Sequence, residues 1–319
     1  MSLKSSPALQ RIDFEKYGPL VALVVLFVIS AISSPYFLQV QNLLNIMRQI
    51  SYTGIIALGM TFVIIAGGID LSVGSMTALI GGLAILALNQ FGDGYVAILM
   101  AVLFAVILGL AAGAVNGVIV TKGKVAPFIV TLGTMAIFRS LTLYISNAGE
   151  FRSANHIYPE VGMGSFLGLP IPVWVFLGLA FLFNIVLTRT RYGRYVCAVG
   201  SNEKVALYSA IKIDRVRFIS YLIVGVTVAI SAILLSARLN SISSSNGGVN
   251  FELDSISAVI IGGTAMNGGS GSIAGTVGGA VILGIVNNML NMLGVSPYLQ
   301  GTVKGLVIIG AVLIQRKKK

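Results

Sequence analysis

Long apolar runs separated by short breaks constrain this chain more than anything else in it. A helix of about 20 apolar residues crosses the hydrocarbon layer of a bilayer. On that criterion the sequence predicts ten segments, near 18–34, 50–67, 73–90, 95–119, 127–146, 170–187, 217–237, 254–265, 271–293 and 298–315. Lipid cannot hydrogen-bond exposed backbone, so the expected fold is an all-α polytopic membrane protein, with residues 1–319 forming one transmembrane domain. The composition points the same way: 56% of residues are hydrophobic, 10% are charged and the mean hydropathy is +0.95. The eighth segment is too short to cross and runs into the Gly-rich stretch 262–271. A broken helix is expected there, its freed backbone buried in protein or facing a water-filled cavity. The first apolar run lacks a small-residue cleavage pattern and reads as a retained span.

Charge orients the spans. With the N-terminus in the cytoplasm, segments 1–17, 188–217 and 316–319 and the residues Lys122 and Lys124 share one face, which then holds 16 of the 21 Lys and Arg. The opposite face receives Asp93, Glu150, Glu160, Glu252 and Asp254, half of the ten acids. That asymmetry predicts both termini in the cytoplasm and an even number of crossings. It also accounts for the net charge of +11 without a nucleic-acid partner. The single cysteine, Cys197, lies in the basic loop and excludes a disulfide within the chain.

The basic loop is the longest polar interruption, carrying Arg189, Arg191, Arg194, Lys204, Lys212, Arg215 and Arg217. A short helix is predicted within it from Ser201 to about Ala210, with Ser201 or Asn202 as N-cap and Glu203 in the first turn, where a carboxylate suits the helix dipole. Val205, Ala206 and Leu207 form a small apolar side. Two readings remain open: a solvated connector, or a rod that enters a groove on a soluble partner.

Polar groups inside the spans are the other signal. Asn116, Asn184, Asn287, Asn288 and Asn291 should point inward, since an amide facing lipid leaves up to about four hydrogen-bonding sites unpaired. With Thr61, Thr131 and Thr134 they suit a corridor for a neutral polyhydroxylated solute. Hydrogen bonds between helices are the equal alternative for Asn287, Asn288 and Asn291, and the preferred one for Asn184. Arg139 and Lys304 are intramembrane cations, each costing about 2.5–3.5 kcal/mol at a helix centre unless paired. Backbone carbonyls, headgroups or an acid of an external loop are the available partners. Asp70, in the turn before the third span, either caps the helix that follows or gates. Small residues at every fourth position, Gly109, Gly113 and Gly117 and then Gly271, Gly275 and Gly279, predict close helix packing.

Catalytic patterns are missing. The one Gly-Lys pair, Gly123-Lys124, precedes Val125 and makes no phosphate loop. His156 and Cys197, one of each type, cannot build a metal cluster or a Cys–His pair. A transport subunit without its own ATPase site, metal or cofactor is expected, and not an enzyme.

The stretches GGIDLSVGS (67–75), VAPFIVTLGTMAIFRSLTLYISN (125–147), TRYGRYVCAVGSNEKVALYSAIKIDRV (190–216), FELDSISAVIIGGTAMNGGSGSIAGT (251–276) and NNMLNMLGVSPYLQGTVKGLVII (287–309) resemble the permease subunit of ribose-type ABC importers of monosaccharides. The resemblance implies a ten-span permease of the bacterial cytoplasmic (inner) membrane, paired with a second copy of itself. It implies an ABC ATPase below, which binds ATP and Mg, and a periplasmic or extracellular sugar-binding protein above. Ribose is the first candidate solute, with xylose, arabinose, galactose, inositol and autoinducer sugars open. Gly200, Ser201, Asn202 and Glu203, with Lys204 to Ile211, would form the coupling helix that touches the ATPase. Here the chain departs from the family's usual Ser-Gly-Ile: it has Ser209-Ala210-Ile211, with the large Tyr208 before it. Alanine extends a helix more readily than glycine, so either the helix runs one turn longer or the matching groove differs. An ion-coupled sugar carrier is the alternative, and it would need titratable groups near the midplane.

Overall fold

The computed structural model describes residues 27–32, 34–296, 299–303 and 305–306. The elements in chain order are α1 (Val40–Ile65), α2 (Val73–Phe91), α3 (Tyr95–Thr121), α4 (Pro127–Ile145), β1 (Glu150–Arg152), α5 (Tyr158–Met163), β2 (Ser165–Phe166), β3 (Leu169–Pro170), α6 (Ile171–Arg189), α7 (Arg191–Ser201), α8 (Glu203–Tyr208), α9 (Ile213–Leu239), β4 (Ser241–Ser243), α10 (Phe251–Ile261) and α11 (Ile273–Met292). Seven of them, α1, α2, α3, α4, α6, α9 and α11, are long and apolar enough to cross a bilayer. The first and tenth predicted segments lie largely outside the described residues, although 27–32 and 299–303 are helical.

α1 is the axis. Every residue from Gly54 to Ile65 is buried, and α9, α11, α10 and α6 surround it. α11 runs antiparallel to α1: Thr61 and Thr276 share a hydrogen bond of 2.8 Å near one end, Ile50 packs on Gly284, and Asn42 meets Asn288 at the other end. Lipid tails give helices no hydrophobic reason to associate, so close approach must do it. The predicted small-residue rows serve that purpose: a Cβ on Gly109 or Gly113 would overlap backbone of α9, and one on Gly275 or Gly279 would overlap backbone of α10 or the residue after it. The outward face of α3 keeps Leu99, Leu103, Ile107 and Leu110 exposed at helical spacing, as a lipid-facing surface requires.

Four expectations change. α1 begins ten residues before position 50: of the polar residues that lower hydropathy there, Asn42 pairs with Asn288 of α11, and Arg48 donates to the Met163 carbonyl of α5 and to Asn45 Oδ1. The basic loop holds two helices, α7 and α8, where one from Ser201 to Ala210 was expected. Short strands also occur: β1 pairs antiparallel with β4, Phe151 opposite Ile242, and β2 pairs with β3. Finally, Glu252 and Asp254 lie in the first turn of α10, within the bundle and not on an external rim. Asp254 is buried and the Glu252 carboxylate packs on Gly74, placing both acids at the positive end of that helix.

Candidate functional site

α8 is defined by its ends. The Asn202 side chain accepts from the Val205 N–H at 3.1 Å, which makes Asn202 the N-cap and puts Glu203 at the first helical position. The helix stops at Tyr208. Ala210 takes a left-handed backbone, φ 58°, and its N–H and that of Ile211 close back onto Leu207 and Ala206. Of the two alternatives that alanine left open here, the extra turn is absent, since the reversed chain satisfies the last carbonyls in its place. Ala206 is buried, whereas Val205, Leu207 and Tyr208 are 58%, 62% and 88% exposed and Lys204 is also exposed. A helix of six residues thus presents three large apolar side chains outward beside an open cleft of about 650 Å3 lined by Glu203, Leu207, Ile211 and the Lys124–Asp214 ion pair (2.7 Å).

Two links tie α8 to the axis. Gly200 lies so close to the end of α1 that a Cβ there would overlap the Ile65 carbonyl oxygen. That same oxygen accepts from the Gly269 N–H at 2.8 Å, and Ser201 Oγ reaches the Gly269 carbonyl at 3.5 Å. Gly268 and Gly269 turn with φ of 86° and 87°, a geometry that favours glycine. In the second link, Arg217 on α9 donates to both carboxylate oxygens of Glu203, at 3.3 and 2.9 Å, and through Nε to the Ala66 carbonyl at 3.4 Å. The basic loop, the Gly-rich stretch and the end of α1 therefore meet at one place. Burial raises the Cys197 thiol on α7 above its ordinary value, away from a reactive thiolate.

Asp70 is fully buried. Its Oδ1 accepts from the Ser72 N–H (2.9 Å) and hydroxyl (2.6 Å), and its Oδ2 accepts from Asn116 Nδ2 (3.2 Å). The carboxylate thus shapes the turn into α2, whose N-cap position is Ser72. Burial pushes the Asp70 carboxyl above the usual carboxylate range, against the hydrogen bonds that favour its charge. Asn116 is spent here, with its Oδ1 unpartnered. On α4, Thr131 and Thr134 are buried and bond to carbonyls of their own helix. Arg139 finds backbone partners: Nη1 donates to the Ser244 carbonyl (2.7 Å) and Nη2 to the Gly247 carbonyl (2.9 Å). Lys304 lies outside the described residues.

The three clustered amides of α11 have different surroundings. Asn287 is 7% exposed with an unpartnered Oδ1. Asn288 forms a reciprocal pair with Asn42 of α1, at 3.2 and 2.8 Å. Asn291 is exposed and accepts from Gln300 Nε2 at 2.8 Å. The structure does not bring Asn116, Thr131 or Thr134 into this group. Asn184, expected to point inward, is exposed on α6 five residues before Arg189, near the end of the span.

The family described as "Branched-chain amino acid transport system / permease component" matches residues 42–312. The chain belongs to this family. Over 320 residues the permease is 43% identical to the ribose import permease protein RbsC of Bacillus subtilis (strain 168), covering 97% of this chain and 96% of that one. Against RbsC of Escherichia coli (strain K12) the identity is 43% over 94% and 93% of the two chains. Against the D-allose transport system permease protein AlsC of the same strain it is 37% over 95% and 92%. No solved structure matches it.

Asn42, Asn45 and Gln49 on α1, of which Asn42 meets Asn288, and Arg217 as the tether of α8 were missed by sequence reasoning. The first three stand at i, i+3 and i+7, one helical face. They fell before the hydropathy window that opened the second span at 50, and only their helical spacing would have found them.

Proposed function

We propose that this chain is the membrane-spanning permease of a binding-protein-dependent ABC importer that carries a neutral monosaccharide, ribose first, into the cell. The observation that carries the reading is the near-full-length similarity to proteins named as ribose import permeases. The small tethered helix α8, with its outward Val205, Leu207 and Tyr208, supports it. In this reading 1–319 is one ten-span domain of the bacterial inner membrane. Residues 1–17, 188–217 and 316–319 are cytoplasmic, two copies form the pore, and the sugar-binding protein docks on the opposite face. An ABC ATPase binds ATP and Mg; the permease contributes no catalytic group and contacts no nucleic acid.

ATP-driven closure of the ATPase domains pushes Gly200 to Leu207 and Ala210, the coupling segment, and the movement passes to α1 through Ile65 and Ala66. The solute passes the amides Asn287, Asn288 and Asn291, while Asn116, engaged with Asp70, and Thr131 and Thr134, bonded within α4, support the surrounding helices at a distance from that group. Asp70, Arg139 and Lys304 hold or gate it.

The deciding experiment reconstitutes the permease with its ATPase in vesicles. Radiolabelled ribose should enter only with ATP at the ATPase side and loaded binding protein at the other. Uptake that survives ATP depletion while an ion gradient is held would instead favour an ion-coupled carrier. Replacing Asn287, Asn288 and Asn291 together by Leu should stop uptake and leave the assembled complex intact.

A further inference from the structure

The amides of α11 have a counterpart that the transport reading does not include. Asn42, Asn45 and Gln49 occupy one face of α1, in the half of the bundle remote from α8, opposite the turn that carries Asn287 to Asn291. The register supports the placement, with Ile50 against Gly284 and Asn42 paired to Asn288. α10 approaches α11 through Ala258 against Gly279 and Gly262 against Gly275. That register sets its first residue, Phe251, near position 286 of α11, so Asn287, Asn288 and Asn291 lie at or beyond its start. The 11-residue α10 spans about 16 Å, roughly half the hydrocarbon thickness, and does not itself cover this part of α1 and α11.

Besides Arg48 Nε, two polar groups there lack partners among the described residues. The Oδ1 of Asn287 is buried and unbonded. Gln49 is exposed within the long helix α1 and forms no hydrogen bond. An amide facing hydrocarbon is costly, so this face must meet water, a solute or polar protein.

We infer that Asn42, Asn45 and Gln49 form the second wall of an amide-lined site for a neutral polyol, facing Asn287, Asn288 and Asn291. The inference rests on the importer reading and adds a specificity-determining surface to it. An amide both donates and accepts, as does a sugar hydroxyl, so a solute exchanges one partner for another without leaving a buried group bare. The Asn42–Asn288 pair satisfies both amides when the site is empty and opens to hydroxyls when it is filled. Asn45 already accepts from Arg48 Nη1 at 3.1 Å, which leaves its N–H groups to donate to a solute oxygen.

The test uses the full complex with ATPase and binding protein. Gln49→Leu removes no side-chain hydrogen bond among the described residues, so assembly and ATP hydrolysis should stay at the parent level while ribose uptake falls about tenfold, the loss expected for one or two neutral hydrogen bonds to the solute. Gln49→Asn should recover part of the rate. Uptake by Gln49→Leu within about twofold of the parent would overturn the inference, and so would an equal fall in ATP hydrolysis. A second measurement places Gln49→Cys in a Cys197→Ser background. Labelling by a hydrophilic thiol reagent, slowed by sugar delivered from the binding protein, is the supporting result. Labelling only by apolar reagents, or a disulfide between two copies that blocks labelling, would assign this face to lipid or to the partner copy. A parent complex without ATP-dependent uptake overturns the importer reading itself. A parent that transports alongside an equally active Gln49→Leu overturns only this wall.

Discussion

Ala210 holds a left-handed backbone that costs an L-residue with a side chain roughly 1 kcal/mol relative to glycine. Ala210→Gly should therefore stabilise the purified permease by about that amount, seen as a raised unfolding midpoint, while a β-branched residue there should lower it. Asp70 offers a second test. Burial holds its carboxyl above the ordinary range, so the folded chain binds a proton more readily than the unfolded one. The stability linked to Asp70 is present at low pH and is lost as pH rises through the raised value. Asp70→Asn should remove that dependence and match or exceed the parent midpoint at alkaline pH, because Asn116 can turn its unpartnered oxygen toward the new amide. Asp70→Leu leaves the Ser72 N–H and hydroxyl without their acceptor and Asn116 with Ser72 Oγ alone, and should lower the midpoint at every pH. Thermal unfolding across a pH series checks both.

At the scale of elements, α8 matters through what it touches on each side. Its outward apolar residues suit a soluble partner, and its inward links run through Gly200 and Glu203 to the end of α1. Gly200→Ala forces a methyl against the Ile65 carbonyl, an overpacking cost of about 1–3 kcal/mol, and should shift α8 from α1 without removing the docking residues. The expected result is an assembled complex that hydrolyses ATP but moves several-fold less sugar per ATP. Equal coupling ratios in parent and variant would count against the link. Glu203 shows how local structure redirects such tests: it sits at the first helical position, where proline is tolerated, so Glu203→Pro probes the Arg217 ion pair more than the helix.

For the whole molecule, the basic helix α7 and the adjoining α8 lie at one end of the bundle. Asp93 and His156 meet at the other, the His156 N–H donating to Asp93 Oδ1 at 3.0 Å. In a Cys197→Ser background, Tyr208→Cys should react with an impermeant thiol reagent only from inside the cell and His156→Cys only from outside; labelling of both from one side would refute the topology. Apolar run length made the membrane class and most span positions legible, since α2, α3, α4 and α6 each lie within about two residues of expectation. The start of α1 was not legible, because Asn42, Asn45, Arg48 and Gln49 lower its hydropathy although their side chains are compatible with a helix. In the basic loop a capped helix was legible, but not that the loop holds two helices.

The sequence by itself determined that this chain lives in a bilayer, how its charge is distributed and which family it belongs to, because run length, residue type and motif order are one-dimensional properties. Tertiary structure alone decided which polar residues meet. Asn116 went to Asp70, Asn288 to Asn42 and Arg139 to a loop carbonyl, since each pairing joins positions 46 to 246 residues apart or depends on which way a helix face turns. Helical spacing tells which residues share a face. Only packing tells what that face meets.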